Sequence, residues 1–127
     1  MSTSKVKSAQ RKVLIVDDEE GIRESLKLIL SDHYDLVVTD NGEQALRLVE
    51  GDPAIALVLM DIKMPKVSGL DVLKAMKAKR PDVNVVMVTG YRATETAGEA
   101  AHLGASGYII KPFKSDEILK TVEKNLK

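Results

Sequence analysis

The apolar positions of this chain fall into two rhythms. Val13-Leu14-Ile15-Val16, Leu36-Val37-Val38, Ile55-Ala56-Leu57-Val58-Leu59-Met60, Val85-Val86-Met87-Val88 and Tyr108-Ile109-Ile110 are short unbroken runs rich in β-branched residues. Runs of this length, bounded by turn formers, read as strands buried on both faces. Between them apolar residues recur at helical spacing: Ile22, Leu26, Ile29 and Leu30, then Ala45, Leu46 and Val49, then Leu70, Leu73 and Met76. A last stripe runs through Ile118, Leu119, Val122 and Leu126. Ala93 to His102 predicts a weaker helix, rich in alanine, interrupted by Gly98 and thin in large apolar residues. The punctuation agrees. Asn41-Gly42 signals a turn, Gly51 and Pro53 close the second helix, Pro81 the third and Gly104 the fourth. Ser68 and Ser115 are expected to cap the third and fifth helices.

Strand followed by helix, five times with short connections, predicts the α/β class: a parallel sheet covered by helices on both faces. Right-handed crossovers leave few topologies, and a doubly wound, flavodoxin-like sheet in the order 2-1-3-4-5 is the expectation. Its topological switch lies between strands one and three, which end at Asp17-Asp18 and at Asp61. Open α/β sheets hold their ligands in that crevice. The fold argument alone therefore brings three carboxylates together. Pro65, lacking an N–H and biasing Met64 away from helix, turns the chain just beyond Asp61.

Composition narrows the field. The 127 residues fit one domain, here placed at residues 12–127 behind a flexible tail of residues 1–11. Lys5 and Lys7 stand among Ser and Thr with no apolar segment behind them, which is not a secretory signal. Nineteen basic residues balance nineteen acidic ones, so no global field recruits nucleic acid or an anionic membrane. Aromatics make up only 3%, so the core must be aliphatic. The absence of Cys rules out disulfides and thiolate chemistry and suits a reducing cytoplasm. No apolar run reaches membrane-spanning length.

Carboxylates a few Å apart repel; two unit charges about 5 Å apart cost roughly 3 kcal/mol at an effective dielectric of about 20. Something positive must offset this. Lys111, ending the last strand, can reach the pocket from one side. A hard divalent cation serves better, with Mg²⁺ the natural ion and Mn²⁺ an alternative. Thr89 ends strand four with a hydroxyl donor, and Gly90 leaves its N–H accessible. Asp61, a cation, Lys111 and Thr89 make a receptacle for a phosphoryl group, and carboxylates do serve as nucleophiles toward phosphorus. Glu19 and Glu20 read as solvated first-turn acids that complement a helix dipole. His33 and His102 fall near helix ends and read as surface residues.

Four segments, Val16-Asp17-Asp18-Glu19, Met60-Asp61-Ile62-Lys63-Met64-Pro65, Thr89-Gly90 and Tyr108-Ile109-Ile110-Lys111-Pro112-Phe113, each stand at a strand end. In this order and spacing the chain resembles the receiver domain of two-component response regulators, over roughly Lys12 to Lys127. The resemblance implies that Asp61 is the phosphoacceptor. It implies that Asp18 and Asp61 bind Mg²⁺ directly, Asp17 largely through water, and Lys63 through its backbone carbonyl. Lys111 then matches the phosphoryl-binding lysine, with a cis bond to Pro112. Thr89 matches the switch hydroxyl and Tyr108 the aromatic that turns inward with it. Tyr91 is expected to overhang the pocket and, with Lys63, to hinder attacking water. The output surface expected is the face of the fourth helix, fifth strand and fifth helix. The implied donor is a sensor histidine kinase or phosphotransfer protein, or a small acyl phosphate.

Three rivals remain. A flavin mononucleotide domain of this architecture needs a Gly/Ser/Thr-rich phosphate loop where Asp17-Asp18-Glu19-Glu20 stands. A haloacid dehalogenase-type phosphatase wants Asp-x-Asp and a cap domain. A receiver-like scaffold would have lost groups that are all present here. The expectation is a switch that catalyses only its own phosphorylation and dephosphorylation, cytoplasmic, and a monomer or weak dimer. No DNA-binding helix pair follows Lys127, so a stand-alone receiver, or one cut from a longer protein, is expected.

Overall fold

The strands keep both of their faces dry, and that alternation builds two cores rather than one. The computed structural model describes residues 11–90 and 94–126. The elements are β1 (Lys12–Val16), α1 (Glu20–Leu30), β2 (Asp35–Thr39), α2 (Gly42–Gly51), β3 (Ile55–Met60), α3 (Gly69–Lys79), β4 (Asn84–Thr89), α4 (Thr94–His102), β5 (Gly107–Ile110) and α5 (Ser115–Asn125). All pairings are parallel and the order is β2-β1-β3-β4-β5, the doubly wound arrangement expected.

Side chains alternate across a strand. Leu14, Val16, Val58, Met60, Val85 and Met87 therefore point to one face, where α2 and α3 supply Ala45, Val49, Val72, Leu73 and Met76. Val13, Ile15, Leu57, Leu59, Val86, Val88 and Ile109 point to the other, against Leu26 and Leu30 of α1 and Ile118 and Val122 of α5. An unbroken apolar run satisfies both cores at once.

Several local expectations hold. Ser68 Oγ accepts from the Leu70 N–H at 3.1 Å and caps α3 as expected, while Asn41, read as a turn signal, proves also to cap α2 by accepting from the Gln44 N–H. Gly104 leaves α4 at φ +107, a conformation that favours glycine. His33 and His102 are exposed. Others are corrected. Ser115 is the first residue of α5 rather than its cap; Lys114 holds the cap position and makes no side-chain cap bond. The buried stripe of α3 is Val72, Leu73 and Met76, with Leu70 half-buried. Lys77, a residue type that ordinarily turns its charge to solvent, folds back instead: its ammonium donates to the carbonyls of Pro81 and Val83, both at 2.8 Å. Helix α4 buries only Ala100.

Candidate functional site

Register decides where the acids land. Val16 lies opposite Met60, so the residues that follow, Asp17 and Asp61, leave neighbouring strand ends together. The ladder runs one step further, with Asp61 N–H donating to Val16 O at 3.1 Å and Asp17 N–H to Thr39 O at 3.2 Å. On the far side Lys111 N–H donates to Thr89 O at 2.9 Å. Asp17, Asp61 and Lys111 continue the alternation of Ile15, Leu59 and Ile109, the positions that face α1 and α5. Three groups from three strands thus share one face of the sheet's carboxyl edge.

Lys111 joins them. Its Nζ lies 2.9 Å from Asp17 Oδ2, 2.9 Å from Glu19 Oε1 and 3.1 Å from Asp61 Oδ2. Asp17 and Asp61 are 2% and 5% exposed, so water supplies little of their solvation and the lysine must supply it. Asp61 Oδ1 accepts from the Ile62 N–H at 2.7 Å, and Asp17 Oδ1 from the Glu19 N–H at 2.9 Å. Arg23 holds the same loop through Asp17 O at 2.8 Å. Burial pushes the Asp17 carboxyl up from its ordinary range, against the lowering by the Glu19 N–H and Lys111. Burial lowers the Lys111 ammonium, but its bonds to Glu19, Asp17 and Asp61 outweigh that and hold it well above the usual lysine range. The Lys111–Pro112 peptide bond is cis.

The backbone around Asp61 is wedged. A Cβ on Gly69 would stand 2.0 Å from Asp61 O and 2.8 Å from Ile62 Cα. The first residue of α3 must therefore lack a side chain, and its N–H closes the β3–α3 connection on Ile62 O at 2.7 Å. Lys66 adopts φ +73 inside that connection, just after Pro65.

The site opens as a cleft of about 680 Å³ lined by Asp18, Glu19, Asp61, Lys63, Thr89 and Lys111 among others. One carboxylate oxygen from each of Asp17, Glu19 and Asp61 lies within 4.8 Å of the others. These are hard oxygen donors without Cys or His, which fits a Mg²⁺-type ion. Asp18 is exposed on the cleft wall and stands outside that cluster. Glu19, read from sequence as a solvated dipole acid, stays exposed at the N-cap of α1 and in addition accepts from Lys111. The available signal was its place directly after the acid pair, at the strand edge Lys111 also leaves. Thr89 is buried, and Met87, two residues before it, pairs with half-buried Tyr108. By alternation Thr89 and Tyr108 face the α2–α3 side, opposite to Lys111. Tyr91 lies outside the described residues.

An acidic pocket bridged by one lysine, at the switch point of a 2-1-3-4-5 parallel sheet, marks a CheY-like receiver fold. Comparison with known proteins narrows the class: the model of the response regulator receiver domain matches residues 13–123, and the chain belongs to that family. It is 38% identical over 116 residues to sporulation initiation phosphotransferase F of Bacillus subtilis, covering 91% of this chain and 93% of that protein. It is 38% identical over 120 residues to the regulatory protein AtoC of Escherichia coli, covering 94% of this chain but only 26% of that one. The CheY-like receiver domain protein of Methanospirillum hungatei JF-1 superimposes with a TM-score of 0.85 at 31% identity, over 90% of this chain and 91% of that one. The protein is thus a receiver domain of two-component response regulators, signalling domains that bind Mg²⁺ at an acidic pocket and interact with histidine kinases or phosphotransfer proteins. The flavin and scaffold alternatives are not favoured. The β1–α1 connection presents Asp17, Asp18 and Glu19 where a flavin phosphate would have to sit. Among the described residues no helix is long and apolar enough to cross a membrane.

Proposed function

We propose that Asp61 accepts a phosphoryl group from the phosphohistidine of a sensor kinase or phosphotransfer protein, or from a small acyl phosphate. One observation carries the reading: Lys111 Nζ stands 3.1 Å from Asp61 Oδ2 at the floor of the cleft, held there by Asp17. In the step, an Asp61 oxygen bonds to phosphorus in line while the bond from phosphorus to the donor breaks. The donor keeps that electron pair. Lys111 neutralises charge on the phosphoryl oxygens, and the Ile62 N–H holds Asp61 Oδ1, leaving Oδ2 to react. Water attacking phosphorus later returns the carboxylate and inorganic phosphate.

Asp17, Asp18, Asp61 and the Lys63 carbonyl would hold Mg²⁺, or Mn²⁺ in its place, with Glu19 close at hand. When bound, the ion neutralises phosphoryl charge and orients the group. Thr89 would turn its hydroxyl toward the new phosphoryl group, and Tyr108, on the same face, would move with it and alter the α4–β5–α5 surface. Lys63 at the rim would slow hydrolysis, as would Tyr91. The domain spans residues 12–127 and works in the cytoplasm as a monomer or weak dimer, without contacting nucleic acid. Intact-mass measurement after incubation with acetyl phosphate tests the assignment. A Mg²⁺-dependent phosphoryl adduct is expected on the parent chain and not on Asp61→Asn; an adduct that survives in the variant overturns it.

A further inference from the structure

Lys111 has three ammonium protons and three acceptors, so it has nothing left for a phosphoryl oxygen. One acceptor must give way when the group arrives. Asp17 is poorly placed to do so: its side chain is 2% exposed, and its other oxygen already takes the Glu19 N–H at 2.9 Å. Asp61 releases its contact with Lys111 only as Oδ2 bonds to phosphorus, after the incoming group has already needed a proton from the lysine. Glu19 differs from both. Its side chain is 62% exposed, it makes no cap bond to its helix, and rotation about its own side-chain bonds carries the carboxylate into water.

We propose that Glu19 is the exchangeable counter-ion of Lys111: a positioning residue that holds the ammonium over Asp61 in the resting protein and is displaced by the incoming phosphoryl group. The inference rests on the reading of Asp61 as acceptor. Two consequences separate it from general surface charge. Glu19 keeps Lys111 aimed while the site is empty of phosphate, so without it the ammonium protons are less protected. Glu19 also competes with the phosphoryl oxygens, so phosphorylation is slower with it than without it. Glu20, the next acid, is exposed in the first turn of α1 and serves as the matched control.

The experiment compares parent, Glu19→Gln and Glu20→Gln chains. Adduct formation with acetyl phosphate at saturating Mg²⁺ is followed by intact mass. Solvent exchange of the Lys111 ammonium protons is followed by NMR in the absence of phosphate donor. Glu19→Gln is expected to phosphorylate about two- to fivefold faster, the range an exposed ion pair supplies. Its Lys111 protons should exchange faster, and Glu20→Gln should match the parent in both. An unchanged rate in Glu19→Gln, or an equal rise in Glu20→Gln, overturns the proposal. So does a slower Glu19→Gln whose Mg²⁺ affinity has fallen, which would make Glu19 a partner of the ion rather than of the lysine. Failure of the parent chain to form any adduct fells the reading of Asp61 and this proposal with it. An adduct with the wrong rate order fells this proposal alone.

Discussion

Replacing Lys111 by Met removes the cation that touches Asp17, Glu19 and Asp61 while keeping most of the stem's apolar bulk. Asp17 and Asp61 are then left with carboxylate oxygens no more than 4.8 Å apart, a repulsion of about 3 kcal/mol at an effective dielectric of about 20. The protein has one escape, which is to protonate Asp17, the carboxyl that burial already pushes up. From an ordinary Asp value of about 3.9, that escape costs about 5 kcal/mol at about pH 7.5 and about 1.5 kcal/mol at about pH 5. The variant therefore stays charged and strained at the higher pH and relaxes at the lower. The sign follows from linkage. A carboxyl raised on folding contributes stability below its unfolded pKa and loses it as pH rises through the folded one. Urea unfolding followed by circular dichroism in EDTA should show a deficit of about 3 kcal/mol at about pH 7.5, shrinking to about half near pH 5. Adding Asp17→Asn to the variant should recover most of it, because the opposed charge is gone. A deficit below about 0.5 kcal/mol at the higher pH, within the range of ordinary surface substitutions, or one equal at both pH values, refutes the reasoning.

Three further substitutions separate the site from its scaffold. Gly69→Ala should lose about 3 kcal/mol or more in urea unfolding, because its Cβ meets the Asp61 carbonyl at 2.0 Å, and should slow adduct formation by shifting Asp61. Gly51→Ala, with open space around its Cβ, should stay within about 1 kcal/mol of the parent in the same assay. Arg80→Ala removes donors to Val49 O and Asp52 O, both at 3.2 Å, that finish α2. It should cost about 1–2 kcal/mol while leaving the rate of phosphorylation by acetyl phosphate unchanged.

What sequence reasoning recovered, and what it missed, divides along the range of the forces. The five strands were legible because burial on both faces writes a short unbroken apolar run, and Ile55 to Met60 is too short and too tightly bounded by turn formers for a buried helix. Asp17, Asp61 and Lys111 were legible because strand order follows from the alternation of elements, and all three stand one residue past a strand. The contact of Glu19 with Lys111 was not legible because it depends on a lysine 92 residues away, while its local context is that of any acid at a helix start. Gly69 was passed over for the same reason: its lack of a side chain matters only against Asp61 O, and nothing within α3 reveals that. Ser115 was read as a cap, but α5 begins one residue earlier than a Ser115 cap requires, which puts Ser115 inside its first turn. Val72 in place of Leu70 is a rotation of α3 about its axis, set by close packing near Gly42 rather than by spacing.

Helix α4 meets the sheet through the methyl group of Ala100, whereas α1 brings Leu26 and Leu30. At about 0.8 kcal/mol per buried methylene-sized group, its side-chain anchorage is of the order of thermal energy. An equilibrium balanced that finely responds to small inputs. Each 1.4 kcal/mol of differential binding moves such a population about tenfold, and full conversion takes about 5.5 kcal/mol. If phosphorylation pulls on it as proposed, a helix so lightly moored would respond by degrees, its average position set by the strength of that pull.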